Sequence, residues 1–579
     1  RMRESRQYVF QRKMKKIFRN TIIGLVAGAA TLTSCNGVLD LEPTGWYGEP
    51  VAYASVTNMD YYVKGLYAVL YANSDISNGY IMDDGVSELL KYSWWGDKGQ
   101  VNQAFYNTNY VTVDANYRSN WSTMYTYIRQ LNEFFYDISN GRADKLDPEQ
   151  VKIRKAEVRF LRAFAYQELV IRHGGVILRI SEDHVDGPNE RTKARSTKEE
   201  CYEFIISEYT KAAEDLPEVW EDAATNFGRI TKAAAIGMKA RACLYAGRYD
   251  EAIQACDDVL KMGYDMLPVS SVADYKKIYT AVGNKEVILA AYFQQGTGNA
   301  SAKQHNFNTY FCAPGDPIQL GLPNFDAGVC ATPSDEYASM FDIKVGDEWQ
   351  AFSWDNLAAY GNEPFRNRDI RFYASILYNG AEWLGRKLDL TVESKNYMKF
   401  ATSGQDNVHK TTTGYVIRKF LSDSPKINFT NILSGQYWIE MRAAEIYLIR
   451  SECYARKGTF DKAYADLNAV RTRVGMPERG QKASWNEYLT DLSQERVCEL
   501  GLEGHRYFDL TRWGIATKTL DGKRLHGIEI TKNSDGTLNY TRVECDTQDR
   551  HFEPKMNIFP IPKAELKNNS ACEQNEEWL

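Results

Sequence analysis

Two adjacent tryptophans are the first residues in this chain whose type and setting suggest chemistry. In the stretch SELLKYSWWGDKGQVNQ, Trp94 and Trp95 are followed by Gly96 and Asp97, with Asn102 and Gln103 close behind. Neighbouring side chains on a helix or strand project in different directions, so two indoles in a row do not both fall on one core stripe. A flat apolar face beside groups that bond hydroxyls is what a sugar site requires. The C–H faces of sugar rings stack on flat aromatics much as bases do. Further candidates lie downstream, where aromatics occur without helical spacing: Tyr310, Trp349, Trp354, Tyr360 and Trp383, with Arg368 as a polar partner. For each of these, burial in a core is the competing expectation. With 12 Trp, 38 Tyr and 24 Phe in 579 residues, the chain is rich in rings, and tyrosine is the one that tolerates a wet surface.

Catalytic signatures are missing. His173, His184, His305, His409, His505, His526 and His551 are dispersed without ligand spacing. There is no G-x-S-x-G elbow, H-E-x-x-H helix, P-loop or G-x-G-x-x-G. His505 sits among charged residues and reads as a structural hydrogen-bonding histidine. A carboxylate pair of the glycosidase type would be sought at Asp83 and Asp84, or at Asp369 with Glu382. Loop solvation or binding of sugar hydroxyls is the plainer role for these acids, Asp84 included. No metal or cofactor is expected. The net charge of −6 argues against nucleic acid, since phosphate binding needs clustered Lys and Arg.

Cysteine supplies a different chemistry at the N-terminus. Lys15, Lys16 and Arg19 precede the apolar TIIGLVAGAATLT of residues 21–33, and Leu32-Thr33-Ser34-Cys35 follows the pattern of a lipobox. A basic segment and a short apolar one make a secretory signal rather than a membrane-spanning helix. Cys35 is then the expected site of lipidation, anchoring the protein to a membrane surface. Residues before Met14 read as an upstream extension. Of the ten cysteines, the nine others lack C-x-x-C spacing and most read as buried small residues, with a Cys312–Cys330 pair across a loop as the less favoured alternative.

Helices must position these groups. Residues 151–172 place Val158, Leu161, Ala165 and Leu169 on one stripe and stop at Gly174-Gly175. IGMKARACLYAGRYDEAIQACDDVL from Ile236 and YLIRSECYARKGTFDKAYADLNAV from Tyr447 repeat one plan. A helix with a small residue (Ala240, Ser451) ends at a glycine (Gly247, Gly458); an aromatic (Tyr249, Phe460) and an alanine (Ala252, Ala463) then open a second helix. This is the tetratricopeptide pattern, in an array interrupted by residues 293–435. That stretch collects Gly, Asn, Pro and Asp, and long irregular insertions on a rigid frame tend to carry binding. The expected organisation is an extension and signal peptide over 1–34, a helical region over 35–292, a loop-rich ligand-binding insertion over 293–435 and a helical region over 436–579. The fold class is mainly α.

The C-terminal half carries MRAAEIYLIRSECYARKG, DLNAVRTRVGMP, ERVCELGLEGHRYFDLTRWG and KMNIFPIPKAELKNNSACEQN in that order. With AEVRFLRAFAYQELVIRHGGV, NRDIRF, TGYVIRKFL and the post-lipobox CNGVLDLEP, these motifs resemble the SusD/RagB family of surface nutrient-binding lipoproteins from Bacteroidetes. The resemblance covers nearly the whole chain after Cys35. It implies an outer-membrane, surface-exposed, lipid-anchored protein that binds a glycan and delivers it to a SusC-like TonB-dependent transporter, without enzymatic activity. The resemblance also implies that the helical face meets the barrel. A peptide ligand, a helical scaffold that binds protein alone, and a surface glycosidase are the competing expectations.

Overall fold

Asp147, Pro148 and Glu149 set the start of the longest helix among the described residues from local chemistry alone. The computed structural model describes residues 49–77, 82–92, 119–180, 192–296, 303–323, 327–400, 409–424 and 433–579. The chain divides into two compact units, residues 1–62 and 63–579. Cys35 lies outside the described residues. In the first unit, the rings of Tyr53 and Tyr62 meet edge-on at 6.1 Å. The second carries the helical scaffold: α1 (Ala68–Ala72), α2 (Trp121–Ser139), α3 (Pro148–His173), α4 (Lys198–Asp215), α5 (Lys232–Tyr245), α6 (Tyr249–Lys261), α7 (Ala443–Arg456), α8 (Phe460–Arg473), α9 (Trp485–Leu500) and α10 (Arg506–Arg512). The fold is mainly α.

In α3 the Asp147 side chain accepts a bond from the Glu149 N–H at 2.9 Å, and Pro148 occupies the first turn, where its missing N–H is no loss. The helix ends at Gly174, whose φ of 71° suits glycine. The stripe of Val158, Leu161, Ala165 and Leu169 is wholly buried, but so are Arg154, Glu157, Arg162, Glu168 and Arg172. The helix is therefore enclosed rather than amphipathic. Its charges are satisfied in pairs, Arg162 with Glu208 and Arg172 with Glu168, both at 2.7 Å, as buried ions require.

The two tetratricopeptide-like hairpins form as their sequences predict. α5 turns at Gly247 (φ 73°) into α6, and α7 turns at Gly458 (φ 76°) into α8. Ala240, Ala252, Ser451 and Ala463 are fully buried at the helix contacts. Ser451 Oγ donates to the Ala463 carbonyl at 2.5 Å, locking the second pair. In space the interruption of the array disappears: α6 packs directly on α7 although nearly two hundred residues separate them in sequence.

A two-stranded clasp makes this possible. β2 (Val287–Ala291) pairs antiparallel with β10 (Trp438–Arg442), Ala291 opposite Trp438, so the chain leaves the scaffold at Tyr292 and returns at Tyr437. Between them run short strands: β3 (Ala331–Pro333), β4 (Ile343–Val345), β5 (Glu348–Gln350), β6 (Ile376–Leu377), β7 (Glu382–Trp383), β8 (Arg386–Lys387) and β9 (Val416–Ile417). β4 pairs with β5, β6 with β9 and β7 with β8, while β3 pairs with β1 (Leu90–Tyr92) from the scaffold side. A hairpin of β11 (His526–Lys532) and β12 (Leu538–Glu544) follows the last long helices.

Below the clasp lies an ionic core. Arg442 donates from Nη1 to Glu286 at 2.8 Å and to Glu499 at 2.7 Å, and from Nη2 to Glu503 at 2.8 Å. Arg371 bonds Asp369, Glu495 and Glu499, and Lys419 bonds Glu503 at 2.8 Å. Burial pulls the Glu503 carboxyl up, but Arg442 and Lys419 outweigh it and hold the group down at about 2. His505 belongs to this structural chemistry. Burial lowers it to about 4, so it is neutral at pH 7, and its ring nitrogen stands 3.8 Å from Glu445, beyond a hydrogen bond.

Candidate functional site

The residues nominated from sequence scatter. Trp94, Trp95 and Asp97 lie outside the described residues; β1, which precedes them in the chain, ends at Tyr92, held opposite Ala331. Asp84 is fully buried and accepts the main-chain N–H groups of Arg506 at 2.8 Å and Gly504 at 3.2 Å. It splices the start of the scaffold to α10 and leaves no face for a ligand. Burial pushes its carboxyl up to about 7 against the pull of those N–H groups. Of Asp369 and Glu382, the first is buried against Arg371 at 2.8 Å, while the second stands exposed on β7.

Trp354, Tyr360 and Arg368 do come together, but as a small core. Their rings flank Phe352, with centroids 5.0 Å from Trp354 and 5.4 Å from Tyr360, and the Arg368 guanidinium lies 4.0 Å over the same ring. Arg368 gives its donors to the carbonyls of Ala338, Phe341 and Pro364. Trp354 Nε1 donates to both Asp335 oxygens at 3.0 Å. Trp383 is buried, with its indole N–H on Asp316 at 3.1 Å. Arg368, Tyr360 and Trp383 are thus packing residues in the described structure, because an insertion without long helices must build its core from rings. Trp349, on β5, and Tyr310, whose carbonyl accepts from Cys330 N–H at 2.9 Å, stay half-buried.

A different aromatic group sits at the mouth of the clasp. Tyr292 and Phe293 follow β2 directly and are both half-buried. They turn opposite ways, as adjacent residues of an extended chain do. The Tyr292 ring packs 4.6 Å from Phe227, which is 49% exposed, and 5.2 Å from Tyr437. The Phe293 ring meets Tyr71 from α1 at 5.1 Å and His305 at 4.9 Å, each edge-on. Tyr71 donates its hydroxyl to the Tyr292 carbonyl at 2.7 Å, and Lys303 Nζ lies 5.6 Å above the Tyr71 ring. Gln294 and Gln295 follow in the chain and are exposed.

Nothing in this group is poised for proton transfer. Burial lowers His305 to about 4 and raises the Tyr71 phenol, so both are neutral at pH 7. His305 Nε2 donates to the Gln436 carbonyl at 2.8 Å and Nδ1 accepts the Phe307 N–H at 3.2 Å, which fixes the tautomer. The arrangement offers flat rings, amides and one lysine: it can stack and hydrogen-bond a neutral polyol. The sequence did signal it, in the Tyr-Phe-Gln-Gln-Gly run after the apolar VILAA, but pairing of β2 with β10 is needed to bring Tyr71, His305 and Tyr437 to that run. Among the described residues no group of three His, Cys, Asp or Glu is placed to hold a metal. The nine described cysteines are all buried free thiols, Cys312 and Cys330 included.

The sequence model described as the SusD family matches residues 285–578 of this chain, from the clasp to the C-terminus. The chain belongs to the SusD family. A second SusD-like model, described as starch-binding associating with outer membrane, matches residues 48–244. A SusD-like protein of Formosa agariphila is 22% identical over 94% of this chain and 95% of its own length. Among solved structures, a SusD-like protein from Bacteroides fragilis superposes with a TM-score of 0.74 at 24% identity, covering 90% of this chain and 97% of that one. A SusD-like carbohydrate binding protein from the same species gives 0.70 at 22% identity, over 90% of this chain and 99% of that one. A laminarin-binding SusD-like protein gives 0.60 at 21% identity, over 90% and 100%. These likenesses establish the SusD fold for this chain.

Proposed function

We propose that this SusD-family chain captures a glycan at the cell surface and hands it to a SusC-like TonB-dependent transporter, without altering the glycan. The observation that carries the reading is the neutral ring-and-amide face formed by Tyr71, Tyr292 and Phe293 at the mouth of the clasp. It has the stacking surfaces and hydroxyl partners of a sugar site and no ionisable group matched to catalysis at neutral pH. The names of two structural relatives, a carbohydrate binding protein and a laminarin-binding protein, support the ligand class. Trp94 and Trp95 join the same proposal, as rings carried on the chain that leaves β1. Lipidation at Cys35 is the proposed tether, since among the described residues no helix is long and apolar enough to cross a membrane.

A glycan array probed with the purified protein tests this reading. Binding to one or more β- or α-glucans or related polysaccharides is expected, with no release of reducing ends on prolonged incubation. Failure to bind any glycan, together with binding to a peptide library, would replace the glycan with a peptide. Release of reducing ends abolished by changing one carboxylate would make the protein a glycosidase.

A further inference from the structure

The hairpin of β11 and β12 has one covered edge and one open edge. Its two strands form a sheet of their own, regular from His526 opposite Glu544 to Lys532 opposite Leu538. Two bonds at its ends fix which main-chain groups face which way. Cys545 N–H donates to the Leu525 carbonyl and Asn533 N–H to the Thr537 carbonyl, both at 2.8 Å. Bonded and unbonded pairs alternate along an antiparallel ladder. Asn539, Thr541 and Val543 therefore spend their main-chain groups on β11, while Leu538, Tyr540, Arg542 and Glu544 turn theirs outward. β11 obeys the same parity on its far side: Ile528 N–H donates to the Thr413 carbonyl at 2.8 Å, and the Ile530 carbonyl accepts from Val392 N–H at 2.9 Å. Among the described residues, no main-chain group or strand bonds the outward groups of β12.

Strand edges that stay solitary are commonly blunted by proline, lysine or a bulge. β12, Leu-Asn-Tyr-Thr-Arg-Val-Glu, has none of these. Its side chains divide by face. Leu538, Tyr540, Arg542 and Glu544 share the face on which Tyr540 packs 6.0 Å from Trp354 and Arg542 bonds Asp335 at 2.6 Å and Glu336 at 2.9 Å. Asn539, Thr541 and Val543 share the other, where Asn539 and Thr541 are exposed. The insertion thus holds the strand by one face and leaves its edge accessible.

We propose that β12 pairs antiparallel with β12 of a second copy of this chain, with Thr541 opposite its own copy. The order of residues along the strand selects that partner. Centred on Thr541, the whole strand pairs and every outward residue meets an outward residue. Arg542 then lies opposite Tyr540 and Glu544 opposite Leu538, so no like charges face each other. Centred on Arg542, two guanidiniums would meet, which destabilises a strand pair. Centred on Tyr540, Glu544 would fall opposite Gly536 in the turn, where φ is 88°. Two threonines make a favourable cross-strand pair, and in an unbonded pair the Cα atoms approach to about 4.5 Å.

That spacing is within reach of a disulfide, which supplies the test. Thr541→Cys in the full chain, mildly oxidised in detergent, should give a covalent dimer on a non-reducing gel. The nine described native thiols are buried, and the parent chain sets the background. Asn539→Cys, an exposed thiol on the same face, should give about tenfold less dimer, because residue 539 lies opposite Val543, about 13 Å along the strand from its own copy. Mixing Asn539→Cys with Val543→Cys should restore the dimer, since those positions face each other. Leu538→Pro removes one outward N–H at the first residue of β12, a place where an edge strand accepts proline; in the Thr541→Cys chain it should cut cross-linking about fivefold at an unchanged melting temperature. Should that variant fail to fold, the mixing experiment decides on its own. The proposal is overturned if Thr541→Cys dimerises no more than Asn539→Cys, if the mixture links no better than Asn539→Cys alone, or if a folded Leu538→Pro variant cross-links undiminished.

Discussion

Tyr292 and Phe293 are consecutive in the chain, yet each belongs to a different ring cluster, and that division makes them separable by mutation. Phe293→Ala removes the ring between Tyr71 and His305 while leaving the Tyr292 contacts to Phe227 and Tyr437 intact. Loss of one stacked ring should cost about 1–3 kcal/mol of glycan binding, by analogy with base stacking, a tenfold to hundredfold rise in Kd. Trp94→Ala and Trp95→Ala should each do the same if those indoles stack on sugar. A ring that only packs would instead lower the melting temperature, since truncating a buried aromatic costs about 3–5 kcal/mol of stability. Calorimetric titration and thermal melts on these single variants separate the two roles. Unchanged affinity in all of them would move the site elsewhere in the insertion.

At the scale of elements, the clasp stands on the ionic core. Arg442, the last residue of β10, is the partner that Glu286, Glu499 and Glu503 share. Arg442→Met keeps much of the volume but strips a buried cation from three carboxylates, and breaking a buried pair in this way costs about 3–5 kcal/mol. A urea melt should show that loss; a change under 1 kcal/mol would mean the remaining cations re-form the network. The two helical hairpins were legible in the sequence because Gly247, Gly458 and their flanking alanines are local signals. The clasp was not, because β2 and β10 pair across an insertion and neither strand alone reveals its partner. The same non-locality hid Tyr71 and Tyr292. Aromatic content pointed correctly to the insertion as ring-rich but did not separate half-exposed rings from those, such as Trp383 and Tyr360, that build its core.

For the molecule as a whole, attachment and acid response are the quantities to measure. Cys35→Ala is expected to leave a folded protein that appears in the soluble fraction of cells; recovery in the membrane pellet at the parent's level would show a second anchor. Acidification should destabilise the fold. Burial lowers His173 to about 3 and His305 and His505 to about 4, below the value of about 6.5 they take when unfolded. The unfolded chain therefore binds protons first, and stability is lost as pH falls from about 6.5 toward 4, at about 1.4 kcal/mol per pH unit for each histidine. Asp84 and Glu440, both raised to about 7 by burial, work in the opposite sense over the same range, gaining stability on acidification. Three histidines against two carboxyls nearly cancel between pH 7 and 5, so the melting temperature should fall chiefly below about pH 4, where the unfolded chain protonates first at Glu503 and Asp509, held down at about 2 by their arginine and lysine partners. A profile that stays flat or rises below pH 4 would contradict it.

Because Ala291 and Trp438 face each other across one strand pair, the whole stretch between them enters and leaves the scaffold through a gap a single turn could bridge. Such geometry makes the insertion an exchangeable cassette in heredity: recombination at the two strands can replace the ring-rich insertion while the stacked helices stay in place. The exchange has conditions, among them Arg371 and Lys419, which reach out of the cassette to Glu495 and Glu499 on α9 and to Glu503. A transplanted segment that lacks an arginine at that place would leave two buried carboxylates short of a counter-ion. Chimaeras between relatives should therefore be more stable, in a urea melt, when the donor cassette brings its own arginine to that position.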